Sequence, residues 1–186
     1  MPSTYSTDLK LELMVTGEKA GLWGDITNTN LNIVQQAIAG YESVTLNATT
    51  GATLLFSNGT ISNGKNAVLN LAGTITTSVN VVIPDGIEKN YIIKNATSGN
   101  HAVVFKTTSG TGATWAGTDK GTKFVYSDGT NVVDVNAAIN TINQYTLPAA
   151  DGTSGEAIVT NGSGTLSFAQ AGISTGKAIA MAIVFG

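Results

Sequence analysis

The chain has 186 residues, a formal net charge of −3 and no cysteine, with 11% charged and 42% hydrophobic residues. Without cysteine there are no disulfides, thiolate metal sites or thiol catalysis, and without a cluster of Lys or Arg there is no surface from which counterion release could drive nucleic-acid binding. The abundance of Gly, Thr and Asn fits turn-dense β structure, and the length is sufficient for a real core. The longest uninterrupted apolar run, Ala178 to Phe185, is too short to cross a bilayer, and no basic flank precedes an apolar stretch near Met1. A soluble protein with no membrane insertion is expected.

Residues 1–15 read as an arm and a strand: Met1 to Thr7 is polar and without period, then Leu9, Leu11 and Leu13 alternate with Lys10, Glu12 and Met14. The only convincing helix follows. Asn28 or Asn30 can cap its start, Leu31, Val34, Ala37 and Ile38 share a face, and Gly40 can stop it with a positive φ. Gly17, Gly21 and Gly24 bracket Trp23, placing a large ring on a flexible loop that packs on the helix or lies against a partner. Trp23, Leu31, Val34 and Ile38 are the predicted core of this N-terminal module. Eight short β-prone runs come next: 43–47, 52–57, 67–72, 79–83, 91–95, 102–107, 123–127 and 132–135. Asn58-Gly59, Asn63-Gly64, Asp85-Gly86, Ser98-Gly99 and Asp128-Gly129 separate them, dipeptides suited to tight turns. This spacing predicts a mainly β protein, an antiparallel β-sandwich of jelly-roll type over residues 16–135, with one N-terminal helix.

Residues 136–186 change character. Asn136 to Gln144 reads as a short helix or a linker, and Tyr145 to Gly172 as two short strands joined by Asn161-Gly162. An isolated hairpin is marginal in water, so this small C-terminal β element needs a neighbour. From Ala178 to Phe185 no side chain is polar, and such a run must be buried on all sides. Burial of Ile179, Met181, Ile183, Val184 and Phe185 against neighbouring subunits is predicted to trimerise the chain, contributing on the order of 10 kcal/mol per subunit. The alternative is that the run docks as a strand into its own sandwich.

The order LKLELM, TGEKAGLWGD, TNTNLNIVQQAIAG and then Thr/Val-rich strands resembles a repeated module of tail-fibre and other virion structural proteins of marine tailed bacteriophages, especially those of cyanobacteria. Residues 127–131 and 145–167 extend the likeness over most of the chain, and the segment YTLPAADGTSGEAIVTNGSGTLSFAQ is similar to an element of intertwined trimeric shafts. The resemblance implies an assembly protein, not an enzyme: a homotrimer that attaches to other virion proteins of tail or capsid and resides in the virion after synthesis in the host cytoplasm. Capsid-surface decoration and adhesion to a host-surface glycan are the alternative roles.

Chemistry is sparse. His101 has no second His or Cys nearby, and Asp25, Asp85, Glu88, Asp119, Asp128, Asp134, Asp151 and Glu156 are scattered. Asp85, Asp128 and Asp151 precede Gly, which makes them turn formers first. Asp119, Asp128 and Asp134 could be imagined around calcium, but the spacing of a calcium loop is absent. Asn47, Asn58, Asn95 and Asn161 match glycosylation acceptors, a chance pattern in an Asn/Thr-rich chain. Trp115, among Gly110, Gly112 and Gly117, is placed on a loop, packed on its neighbours or stacked on a sugar. No catalytic residue, metal site or cofactor is predicted.

Overall fold

The computed structural model describes residues 3–135, 137, 141–142, 145–170 and 183–184, which divide into two compact units, Met1–Asn136 and Ala137–Gly186. In the first unit, β1 (Thr4–Tyr5) pairs antiparallel with β2 (Glu12–Leu13). The part of the expected arm at Thr4 and Tyr5 is therefore paired. It is also tethered: Asp8 Oδ1 accepts from the Glu88 amide at 2.8 Å, and Lys10 O from the Gly59 amide at 2.8 Å.

Helix α1 (Trp23–Ala39) begins earlier than the cap reading placed it, so Asn28 and Asn30 lie inside the helix. Leu22 at the N-cap makes no side-chain capping bond, and Asp25 in the first turn opposes the positive end of the helix dipole. Gly40 does not stop α1 with a positive φ; it is extended, at φ −72° and ψ 140°. Glycine is required there by crowding instead. A Cβ would sit 2.3 Å from Gln36 O and 2.4 Å from Asn66 Oδ1.

Nine strands follow: β3 (Tyr41–Thr45), β4 (Ala52–Thr53), β5 (Val68–Ala72), β6 (Val79–Ile83), β7 (Glu88–Asn95), β8 (Val103–Thr107), β9 (Gly112–Trp115), β10 (Thr122–Asp128) and β11 (Val132–Asp134). All eight expected runs contain a strand, and β9 adds one at a stretch read as loop. The pairing differs from expectation. One sheet has the order β11-β10-β7-β5-β3 and the other β4-β6-β8-β9, and β3/β5, β5/β7, β4/β6 and β6/β8 are parallel. After each strand from β3 to β7 the chain crosses to the opposite sheet, so it winds like a short solenoid. Val68 pairs with Ile92 and Val79 with Val103, both an offset of 24 residues. The turn dipeptides mark where the chain bends but not which sheet it enters next, and the antiparallel reading failed on that point. Within these two sheets the antiparallel pairs are β8/β9, β7/β10 and β10/β11, which close the last turn.

The core lies between the two sheets. Val44, Leu69, Leu71, Tyr91, Ile93 and Val125 point inward from one, and Val79, Val81, Ile83, Val103, Phe105 and Trp115 from the other. Each large side chain so buried contributes about 1.5–3 kcal/mol. The rings of Tyr91 and Phe105 meet edge-on at 5.2 Å. Parallel register stacks like on like, Leu69 beside Ile93 and Val81 beside Phe105. Where Leu71 would be followed by another apolar residue stands Asn95, also buried; its Nδ2 donates to Asp119 O at 2.7 Å, and its Oδ1 accepts from the Thr97 amide and hydroxyl. The amide thus pins the loop that leads into β10.

In the second unit β12 (Thr141–Ile142) pairs with β13 (Tyr145–Thr146), and β14 (Glu156–Thr160) with β15 (Leu166–Gln170), both antiparallel. The segment read as a short helix or linker thus contains a strand. Asn161-Gly162 makes the expected turn, with Gly162 at φ 78° and Asn161 Oδ1 accepting from the Ser163 and Thr165 amides.

Candidate functional site: an apolar outer face

Helix α1 contacts the rest of its unit through a mixed face, not an apolar one. Ile33 is fully buried, and Asn30 and Gln36 flank it. The Asn30 amide reproduces a strand partner, accepting from the Glu12 amide at 3.0 Å and donating to Glu12 O at 2.9 Å, while Gln36 Oε1 accepts from the Ser62 amide. The predicted core stripe lies on the other side. Trp23 is 66% exposed, Leu31 61% and Ile38 75%, and Val34 is half-buried. Apolar periodicity chose the wrong face because the packed one is held by amides, which a hydrophobic pattern does not count. Ile33 was missed for that reason.

The outer face of the five-stranded sheet continues the apolar character. Register places Tyr41 beside Val68, Val68 beside Ile92 and Ile92 beside Phe124, and the Val135 amide bonds to Phe124 O, completing one cross-strand row. Tyr126 and Val133 pair in the adjoining row. Tyr41, Ile92, Phe124, Tyr126, Val133 and Val135 are all exposed. A shallow groove of about 290 Å³ joins this face to the helix, lined by Ala37, Ile38, Ala67, Asn90, Tyr91, Ile92 and Phe124. Isolated exposed apolar residues are ordinary, whereas a continuous row flanked by polar residues marks a contact surface.

Asp85, Asp119, Asp128 and Asp134 each bond to neighbouring groups of the same chain. Asp85 accepts from the Ser109 hydroxyl and amide, and Asp128 from the Thr130 and Asn131 amides; these bonds hold both carboxyls below the usual carboxylate range. Asp119 and Asp134 meet on Lys123, at 3.9 and 2.7 Å, and Lys123 Nζ sits 5.5 Å from the Trp115 ring centroid. Trp115 is not on a loop: it is in β9, fully buried, its Nε1 donating to Gly121 O at 3.1 Å, so no face is left for a sugar. His101 is half-buried. Among the described residues no three His, Asp or Glu side chains converge as metal ligands, and no helix is long and apolar enough to cross a membrane.

Among the described residues two lysines are desolvated, Lys65 buried and Lys89 half-buried. Lys65 is fully buried and donates to Ser57 O and Thr60 O, each at 2.6 Å, and burial with the nearby Lys10 charge pulls its ammonium down to about 8. Lys89 lies 4.4 Å from the Tyr91 ring centroid, and burial lowers it likewise to about 8. Burial raises the Tyr91 phenol, which donates to Gly64 O at 3.0 Å.

Of the predicted subunit contacts, Ile183 and Val184 carry helical backbone and are 77% and 69% exposed, while Ile179, Met181 and Phe185 lie outside the described residues. Comparison with protein-family models, with curated proteins and with solved structures gives no match.

Proposed function

We propose that the chain is a non-enzymatic structural protein of a tailed-bacteriophage virion, of tail-fibre or short-fibre type, which works by assembling with copies of itself and attaching to the particle. The observation that carries this reading is the exposed stripe of Trp23, Leu31 and Ile38, because residues 16–41, the stretch most similar to phage fibre modules, present these three large apolar side chains outward. A chain that leaves such groups in water is built to cover them by association. The hairpin of β14 and β15 supports the same reading, since Ile158 and Val159 are 57% and 39% exposed and two strands alone bury little. Self-assembly is a homotrimer formed through residues 173–186.

The test is location. Mass spectrometry of purified virions should detect the chain, and gold-labelled antibody against it should decorate tails in electron micrographs. Label over the head would move the protein to capsid-surface decoration. Absence from virions that infect normally would end the reading.

A further inference from the structure

We infer that the outer face of the five-stranded sheet, with the adjoining stripe of α1, is a self-contact that pairs two copies of this chain about a two-fold axis. This rests on the reading of the chain as a self-assembling structural protein and adds a contact separate from residues 173–186. The size fits: Leu31, Ile38, Tyr41, Ile92, Phe124 and Val135 are 41–75% exposed. Their exposed parts, with those of the next row, amount to roughly 700 Å², close to the ~800 Å² per partner that stable complexes bury.

Charge selects a second copy as the occupant. Along β7 the outward residues are Glu88, Asn90, Ile92 and Lys94, all exposed, and Asp128 of β10 stands directly opposite Glu88. One end of the face is therefore acidic and the other basic, about 20 Å apart at ~3.3 Å per residue, with the apolar rows between. Two carboxylates side by side across a strand pair repel, and within the chain no salt bridge joins Lys94 to either among the described residues. Two copies laid face to face with β7 antiparallel bring each Lys94 over the other's Glu88 and Asp128. The apolar rows then meet at the centre. A two-fold contact of this kind uses the same patch on both subunits, which a self-complementary charge order satisfies.

The experiment is sedimentation equilibrium of the full chain at low and moderate salt. Whatever number of subunits the C-terminal contact holds, Phe124→Glu should halve the wild-type assembly mass. Lys94→Glu should raise the dissociation constant of this step at least tenfold, and Lys94→Glu with Glu88→Lys should restore it. Thr114→Glu, exposed on the outer side of β9, should change nothing. An unchanged mass for Phe124→Glu, equal weakening by Thr114→Glu, or a charge swap that fails to restore pairing would overturn the inference. None of these outcomes bears on whether the chain is found in virions, so the two claims fail separately.

Discussion

Lys65 offers a quantitative check on the packing of the loop it closes. An ammonium group with no exposure and two carbonyl acceptors is held near 8 in the folded chain, against 10.5 when free. Between those values the unfolded chain keeps a proton that the folded chain has shed, so stability rises with pH; below about pH 8 both forms are protonated and the term is flat. At 1.36 kcal/mol per pH unit, the gain from pH 7 to 9.5 is about 2 kcal/mol. Lys89 adds a slope of the same sign. Tyr91 opposes it above pH 10, where the unfolded chain ionises a phenol that the folded chain keeps neutral. Urea unfolding at pH 7, 8, 9 and 9.5 reads the effect directly: at a slope of ~2 kcal/mol per M the midpoint should climb by about 1 M for Lys65 alone. Lys65→Met should lose that share of the climb whatever its stability at pH 7. A Lys65→Met profile parallel to the wild type would show that the ammonium is solvated and the burial argument mistaken.

Ile33→Ala should cost about 2–5 kcal/mol in urea unfolding of dilute monomer, and Leu31→Ala less than ~0.5 kcal/mol; equal losses would refute the assigned faces of α1. Gly40→Ala should destabilise by roughly 1–3 kcal/mol although its φ suits any residue, because the Cβ meets Gln36 O and Asn66 Oδ1, and an unchanged midpoint would mean that the junction yields freely. Asn95→Leu should cost about 1–3 kcal/mol despite extending an apolar column, since Asp119 O and the Thr97 amide lose their partner; a gain in stability would show that water replaces it. Removing residues 173–186 should cut the subunit number threefold in light scattering while far-UV circular dichroism keeps its β signature, and an unchanged mass would dismiss the C-terminal contact. Purified protein should release no reducing ends from host-type polysaccharides, and turnover lost on mutating one acid would replace the structural reading with an enzymatic one.

Strand positions were legible because alternation and turn dipeptides are local signals, and every expected run from residue 43 to 135 contains a strand. Pairing was not, since it is set by which sheet the chain enters after each bend. A trace of it is present: residues 68–83 and 92–107 carry apolar residues at matching places 24 apart, as at Leu69 and Ile93, Val79 and Val103, and Val81 and Phe105. Asn95 interrupts that match, and its amide is satisfied only by partners from other segments. The outer face was half legible. The stripe of α1 was seen as apolar but assigned inward, while Tyr41, Ile92, Phe124 and Val135 form a row only once register brings distant strands together.

The winding also governs how the first unit would respond to tension. A pull on the N-terminal side meets β3 and the short β4, each bonded to a neighbour on one side only, whereas the other end is clamped by β9 and β10 folding back on β8 and β7. Extension should therefore proceed from the N-terminal side in discrete events, each freeing one turn of 24 residues, or about 80 Å of contour at ~3.4 Å per residue. Such a molecule lengthens by paying out coils while its far end holds.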